Sequence, residues 1–141
     1  TLGCQLEGDF STNYFKKALV ILESWVLQIN LPEIERVDVL TEEKIDYVIG
    51  ALSTTESNLS LSYQHLNDND QMQYYGEQSI IHAKQIKGKE DRIVKVFKAL
   101  DCKGIRYQYL GKFAEAKAIR EEAYMYASNA YDPEHPLVIQ A

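Results

Sequence analysis

GKFAEAKAIREEA, residues 111–123, decides how the rest of the chain is read. It opens on a glycine, a basic residue and an aromatic. It then places alanine at 114, 116, 118 and 123, where a core-facing helix ordinarily carries leucine. Small side chains at helical spacing let a neighbouring helix come close, so something must pack tightly against this stretch. Alanine also simply favours helix. Ala114 and Ala118 are expected to do only that, and Ala116 and Ala123 are expected to be crossing points.

Outward from this stretch the chain reads as helix after helix, and β-branched alternation never persists long enough for a strand. The first residues resemble the tail of a helix ending near Gly8, with Ser11 and Thr12 capping the next. That helix, carrying Phe15, Leu19, Leu22, Val26 and Ile29, is expected to run to Asn30 and stop at Pro32. Residues 31–40 are the least regular. Thr41, followed by Glu42 and Glu43, starts a long helix whose stripe includes Val48, Leu52, Leu59, Tyr63 and Leu66. The run NDND, 67–70, turns the chain. A helix from Gln71 to Lys87 follows, with Gly88 as its C-terminal cap, then one from Asp91 to Leu110 ended by Gly111. The opening stretch forms the next, to about residue 130. Asp132-Pro133 breaks it, and a further helix begins around Pro136.

Residues 63–83 repeat when shifted by 44. Tyr63 meets Tyr107, Gln64 meets Gln108, Leu66 meets Leu110, Glu77 meets Glu121 and Ala83 meets Ala127. Small meets small at Ser60 and Gly104 and at Ser79 and Ala123. Turn meets turn at Asn67 and Gly111, both residue types that adopt left-handed backbone. A fainter copy lies at the start, where GDF (8–10) matches GKF (111–113).

Gly104, Tyr107, Gly111, Phe113, Ala116 and Ala123 fall at the spacing of a tetratricopeptide repeat. With the longer period and the ending AYDPEHP (130–136), the chain resembles the kinesin-light-chain type of that family. The resemblance is good over 97–141, degenerate over 53–90 and suggestive over 1–30. Lys103 and Arg120 depart from it, standing where the family prefers large apolar residues, and Met72 and Gly76 are unusual in the middle copy. The implied fold is all-α, antiparallel helix pairs stacked as a right-handed solenoid. Its units are 1–40, 41–88 and 89–131, with 132–141 starting another helix, and the chain is expected to be a piece of a longer protein. The six repeat-spacing residues would form the packing positions, with Tyr107 and Phe113 filling space around the crossing.

The composition, 45% hydrophobic and 26% charged, is that of a folded domain rather than a disordered chain. The net charge of −6 is uneven. Between Lys84 and Arg120 lie eleven basic residues against four acidic ones, which reads as a solvated face or as a mildly basic wall for an acidic partner. An acidic domain repels phosphate, so nucleic acid is not an expected partner. The apolar run 18–31 is interrupted by Glu23, Ser24, Gln28 and Asn30, so it is not a membrane span. Cys4 and Cys102 form no metal-binding spacing and are expected to be reduced thiols in a cytoplasmic protein.

No catalytic constellation is legible. His65, His82 and His135 are far apart in sequence and make no metalloprotease pattern, no phosphate-binding glycine loop is present, and neither metal nor cofactor is expected. The chain is therefore expected not to be an enzyme. The resemblance puts function on the surface, since the first helix of each pair lines the concave side of a curved stack. It implies a groove of Asn58, Leu61, Gln64 and His65 from the middle repeat, with Lys98, Asp101, Ile105, Gln108 and Tyr109 from the last. Lys98, with Lys95, would meet an acidic side chain. The expected function is a scaffold or adaptor module binding a protein or peptide. The alternatives are a peptide-sensing regulator of an attached effector and a self-association module, a homo-oligomer formed through apolar end faces.

Overall fold

A computed structural model describes residues 2–32 and 41–129, with side chains from Thr12 onward. Among the described residues helix is the only regular secondary structure, and all-α is the fold class. The helices are α1 (Leu2–Asn30), α2 (Glu42–His65), α3 (Asn69–Lys84), α4 (Lys89–Tyr109) and α5 (Phe113–Ser128). The expected break at Asp132-Pro133, the further helix at 132–141, His135, and residues 33–40 of the irregular connection lie outside the described residues.

Local chemistry explains most of these boundaries. Thr41 is extended at the N-cap of α2, and its Oγ1 accepts from Lys44 N at 3.2 Å. Asp68 caps α3 in the same way, accepting from Gln71 N at 3.1 Å. α1 corrects the expected break: it runs unbroken through Gly8, Ser11 and Thr12. Glycine and hydroxyl residues inside a helix cost at most about 1 kcal/mol each, and Thr12 is buried rather than offered to solvent as a cap.

Gly88 also differs from expectation. α3 ends at Lys84 with Gln85 as C-cap, and Gly88 is the N-cap of α4. Asp46, buried near the start of α2, holds this connection, its carboxylate accepting from Lys87 N at 2.9 Å and Gly88 N at 2.8 Å. A carboxylate is well placed there, at the positive end of α4.

The turns α2–α3 and α4–α5 are the same turn. In the first, Asn67 N donates to Gln64 O and Asp68 N to Tyr63 O; in the second, Gly111 N donates to Gln108 O and Lys112 N to Tyr107 O. Each pair of partners is the other shifted by 44. The pivot is left-handed in both, φ 57° at Asn67 and 75° at Gly111, where carbonyl crowding against Cβ favours glycine and tolerates asparagine.

Two apolar cores share α3. Leu19, Leu52, Leu59, Tyr63 and Met72 join α1, α2 and α3. Ile80, Ala83, Val96, Ala99, Leu100, Ile119 and Ala123 join α3, α4 and α5. Successive helices pack on one another, and α2 also touches α4.

Beside the first apolar core, α2 and α3 also meet along a stripe of serines whose hydroxyls are paired. Ser53 Oγ donates to Ser79 O at 2.8 Å, and Ser79 Oγ donates back to Ser53 O at 2.9 Å. Ser57 Oγ lies 2.5 Å from Ser79 Oγ, and Ser60 Oγ donates to Met72 O at 2.6 Å. Ser53, Ser60 and Ser79 are buried. Small hydroxyl side chains thus admit close helices while pairing every group they bury.

Candidate functional site

α2 and α4 lie side by side and run in the same direction. At one end Lys95 Nζ donates to Thr54 Oγ1 at 2.7 Å, and at the other Tyr109 Oη donates to Asn67 Oδ1 at 2.6 Å. These bonds span 41 and 42 residues, so the two helices keep one offset along the shared face. The expected groove residues sort themselves against this pair of bonds.

Asn58 and Leu61 are half-buried and His65 is exposed, sharing the outer side of α2 with Thr54. Lys98, Asp101, Ile105 and Tyr109 are exposed on α4. These residues lie on the two helices that the bonds above join. Their amide, apolar, aromatic and oppositely charged groups suit recognition along a line.

Three expected members sit differently. Gln64 is turned inward, and its Oε1 is buried with no partner among the described residues. Gln108 is exposed toward α5, where its Oε1 accepts from Arg120 Nη2 at 2.6 Å. Lys95 is committed to Thr54, and burial, then the neighbouring Lys98, lower its pKa. It projects over a cavity of about 960 Å³ whose lining includes Glu42, Glu43, Tyr47 and Asp91. Lys98 is thus the exposed cation of the pair, and the surface beside Lys95 is acidic.

Of the expected packing positions, Phe113 is placed otherwise. Gly104, Ala116 and Ala123 are buried. Tyr107 packs against the second core, with the ammonium groups of Lys103 and Lys112 over its ring. Phe113, expected to fill space at the crossing, is 67% exposed. It begins α5 on the side facing away from the core, lining an open cavity of about 510 Å³ with Ala116, Arg120 and Tyr124.

Two clusters escaped the sequence. His82 Nδ1 lies 2.6 Å from Glu56 Oε1, joining α3 to a buried carboxylate on α2. Arg106 is buried against Gly76, where an added Cβ would stand 2.1 Å from the guanidinium carbon. Its Nη2 is 3.4 Å from Glu77 Oε1, which also meets Lys103 Nζ at 3.2 Å. Gly76 is therefore bare so that Arg106 can lie on α3, which explains its departure from the repeat pattern. The Ser53-Ser57-Ser60 spacing was the one visible trace of the polar seam.

Among the described residues no three histidine, cysteine or carboxylate side chains converge as a metal site. Cys102 is a free thiol whose pKa burial pushes up, away from the reactive thiolate. No described helix is long and apolar enough to cross a membrane.

The chain matches no protein-family model, no curated protein and no solved structure. The functional reading rests on the geometry above.

Proposed function

We propose that the chain is a protein–protein interaction module, a tetratricopeptide-like solenoid of the kinesin-light-chain type. It receives an extended peptide or a partner helix along the joined outer faces of α2 and α4. The observation that carries this reading is the pair of bonds Thr54–Lys95 and Asn67–Tyr109, which holds the two faces in register. The 44-residue recurrence of the turn hydrogen bonds supports the stacked-pair architecture.

In this reading Asn58 pairs with the peptide backbone, and Leu61 and Ile105 take apolar side chains. Tyr109 and His65 stack at one end. Lys98 meets an acidic side chain and Asp101 a basic one. The role is recognition without catalysis or cofactor, in a cytoplasmic setting.

Selection of peptides from a random display library, followed by anisotropy titration of a selected peptide, tests this. Leu61→Glu and Ile105→Glu should each weaken binding about tenfold or more, since each places a charge where an apolar anchor sits. Phe113→Glu, at the far side of α5, should leave binding unchanged. A selected peptide indifferent to both Leu61→Glu and Ile105→Glu overturns the assignment of the face.

A further inference from the structure

The inner stripe of α1 is used: Leu19 is in the first core, with Phe15, Leu22 and Val26 packed against it. The outer side of the same helix is also apolar. Tyr14, Val20, Ile21 and Leu27 are each 60% exposed or more, and Trp25 is 41% exposed. A helix that is apolar all round is ordinarily buried all round. Tyr47 of α2, 79% exposed, extends this surface across a groove of about 500 Å³ lined by Ile21, Leu22, Trp25 and Val48, with Glu43 and Lys44 at its edge.

The size of this face discriminates between explanations. With about 150–250 Å² for a fully exposed large side chain, six residues exposed to these fractions present roughly 700 Å². The largest apolar patch on a typical monomer is about 300–600 Å². A stable interface takes about 800 Å² from each partner.

We propose that this face binds the same face of a second copy of the chain, with α1 crossing its counterpart antiparallel near Ser24. Ser24 is the small residue between Val20, Ile21 and Leu27, where two helices can approach most closely. Its Oγ donates to Ile21 O at 3.0 Å, so burial leaves no hydroxyl unpaired. Lys16 is turned to the Tyr63 ring, and Glu23, though exposed, lies on the flank of α1 toward Glu56 and His82. Lys17 is the charge of α1 that points most directly outward, and Glu43 and Lys44 of α2, of opposite sign, lie at the edge of the groove. In an antiparallel crossing at Ser24 the two Lys17 side chains lie on opposite ends, about 20 Å apart along the axis, so self-pairing keeps these like charges apart. The contact is isologous and closes at two copies. It goes beyond the recognition face of α2 and α4: apart from Tyr47 its residues lie on α1, and it is tested separately.

Light scattering on the intact 16.2 kDa chain at low and high micromolar concentration reads the outcome. The expected mass rises to twice the chain mass and stops there. Ile21→Glu and Leu27→Glu should weaken the dimer about thirtyfold or more while leaving the helical circular dichroism unchanged, because both side chains are exposed. Ser24→Cys, with Cys4 and Cys102 changed to serine, should form an interchain disulfide on mild oxidation. A mass that stays at one chain throughout overturns the proposal. So does a dimer insensitive to Ile21→Glu but broken by Phe113→Glu, which would place the contact on α5. Growth beyond two copies would indicate a head-to-tail contact and overturn it as well.

Discussion

Ser60 on α2 and Gly104 on α4 occupy the same place in successive helix pairs. Ser60 Oγ donates to Met72 O at 2.6 Å. An added Cβ on Gly104 would stand 3.8 Å from Ala116 O, and Ala116 is Met72 displaced by 44 residues. At Gly104 the nearest atom is the Arg120 Cγ, at 3.3 Å. The crossing thus has room for a methyl group once an exposed arginine stem shifts slightly. Gly104→Ala should stabilise the fold by up to about 1 kcal/mol through helix propensity, read as a higher denaturation midpoint. Gly104→Leu should lower it.

Ala116 faces that crossing from α5 and is 4% exposed. Ala116→Leu adds three carbons where α5 already lies close against Gly104 of α4 and should cost roughly 1–3 kcal/mol. Ala114→Leu, on the exposed side of the same helix, should cost almost nothing. Equal melting temperatures for the two variants would remove Ala116 from the interface.

The Ser53 and Ser79 hydroxyls should be coupled. Ser79→Ala removes the bond from Ser79 Oγ to Ser53 O and leaves Ser57 without its short contact, costing about 1–3 kcal/mol. Ser53→Ala removes the bond from Ser53 Oγ to Ser79 O and should cost a similar amount. The double variant should cost less than the sum, because the 3.2 Å contact between the two hydroxyls is lost in each single variant but only once in the double. Urea denaturation of the four proteins in a cycle measures the difference.

The Glu56–His82 pair gives stability a pH sense. The hydrogen bond from the carboxylate raises His82 above its ordinary 6.5; burial opposes this, and Glu23 and the Gln78 carbonyl reinforce it. Burial raises Glu56 above its ordinary 4.5, against the bond from His82. A raised imidazole gives its full stabilisation below 6.5 and loses it as pH climbs through the folded value. Glu56 acts in the same direction, because burial penalises its ionised form. The melting temperature should therefore fall as pH rises from 6.5 through the raised value of His82, and His82→Gln should flatten that slope. A melting temperature that rises over this window contradicts the pairing.

Both left-handed pivots can be tested alike. Asn67→Val and Gly111→Val each force a β-branched residue to positive φ and should cost at least about 1–2 kcal/mol. Asn67→Gly suits the turn but removes the acceptor for Tyr109. It should leave the melt nearly unchanged while loosening the end of the α2–α4 face, visible as faster amide exchange near Tyr109.

Much of this structure was legible because it is local. Thr41, Asp68 and Gly111 act within a turn of themselves, so helix ends near them follow from residue type. The shift of 44 was readable because turn chemistry repeats with it. What escaped depends on partners distant in sequence. Whether Ser53 is solvated or buried is decided by Ser79, 26 residues away. Gly76 looked anomalous until Arg106, brought from α4, filled the space above it. Phe113 misled because aromatic character signals burial, whereas its position on α5 decides which way it faces. In the expected groove, Asn58, Leu61, Lys98 and Ile105 were named by the resemblance, and they lie on the outer sides of α2 and α4. The resemblance could not foresee that Gln108 would be drawn to Arg120 or Lys95 to Thr54.

The twin turns carry an implication for how such a chain lengthens. A duplicate of residues 67–110 inserted at either pivot would enter and leave through the same pair of backbone bonds. Its junctions would need no new sequence, since Tyr63-Gln64 and Tyr107-Gln108 supply identical carbonyl acceptors in the same order. Growth by tandem copying is thereby a near-neutral genetic step, leaving the copies to diverge first at their exposed positions.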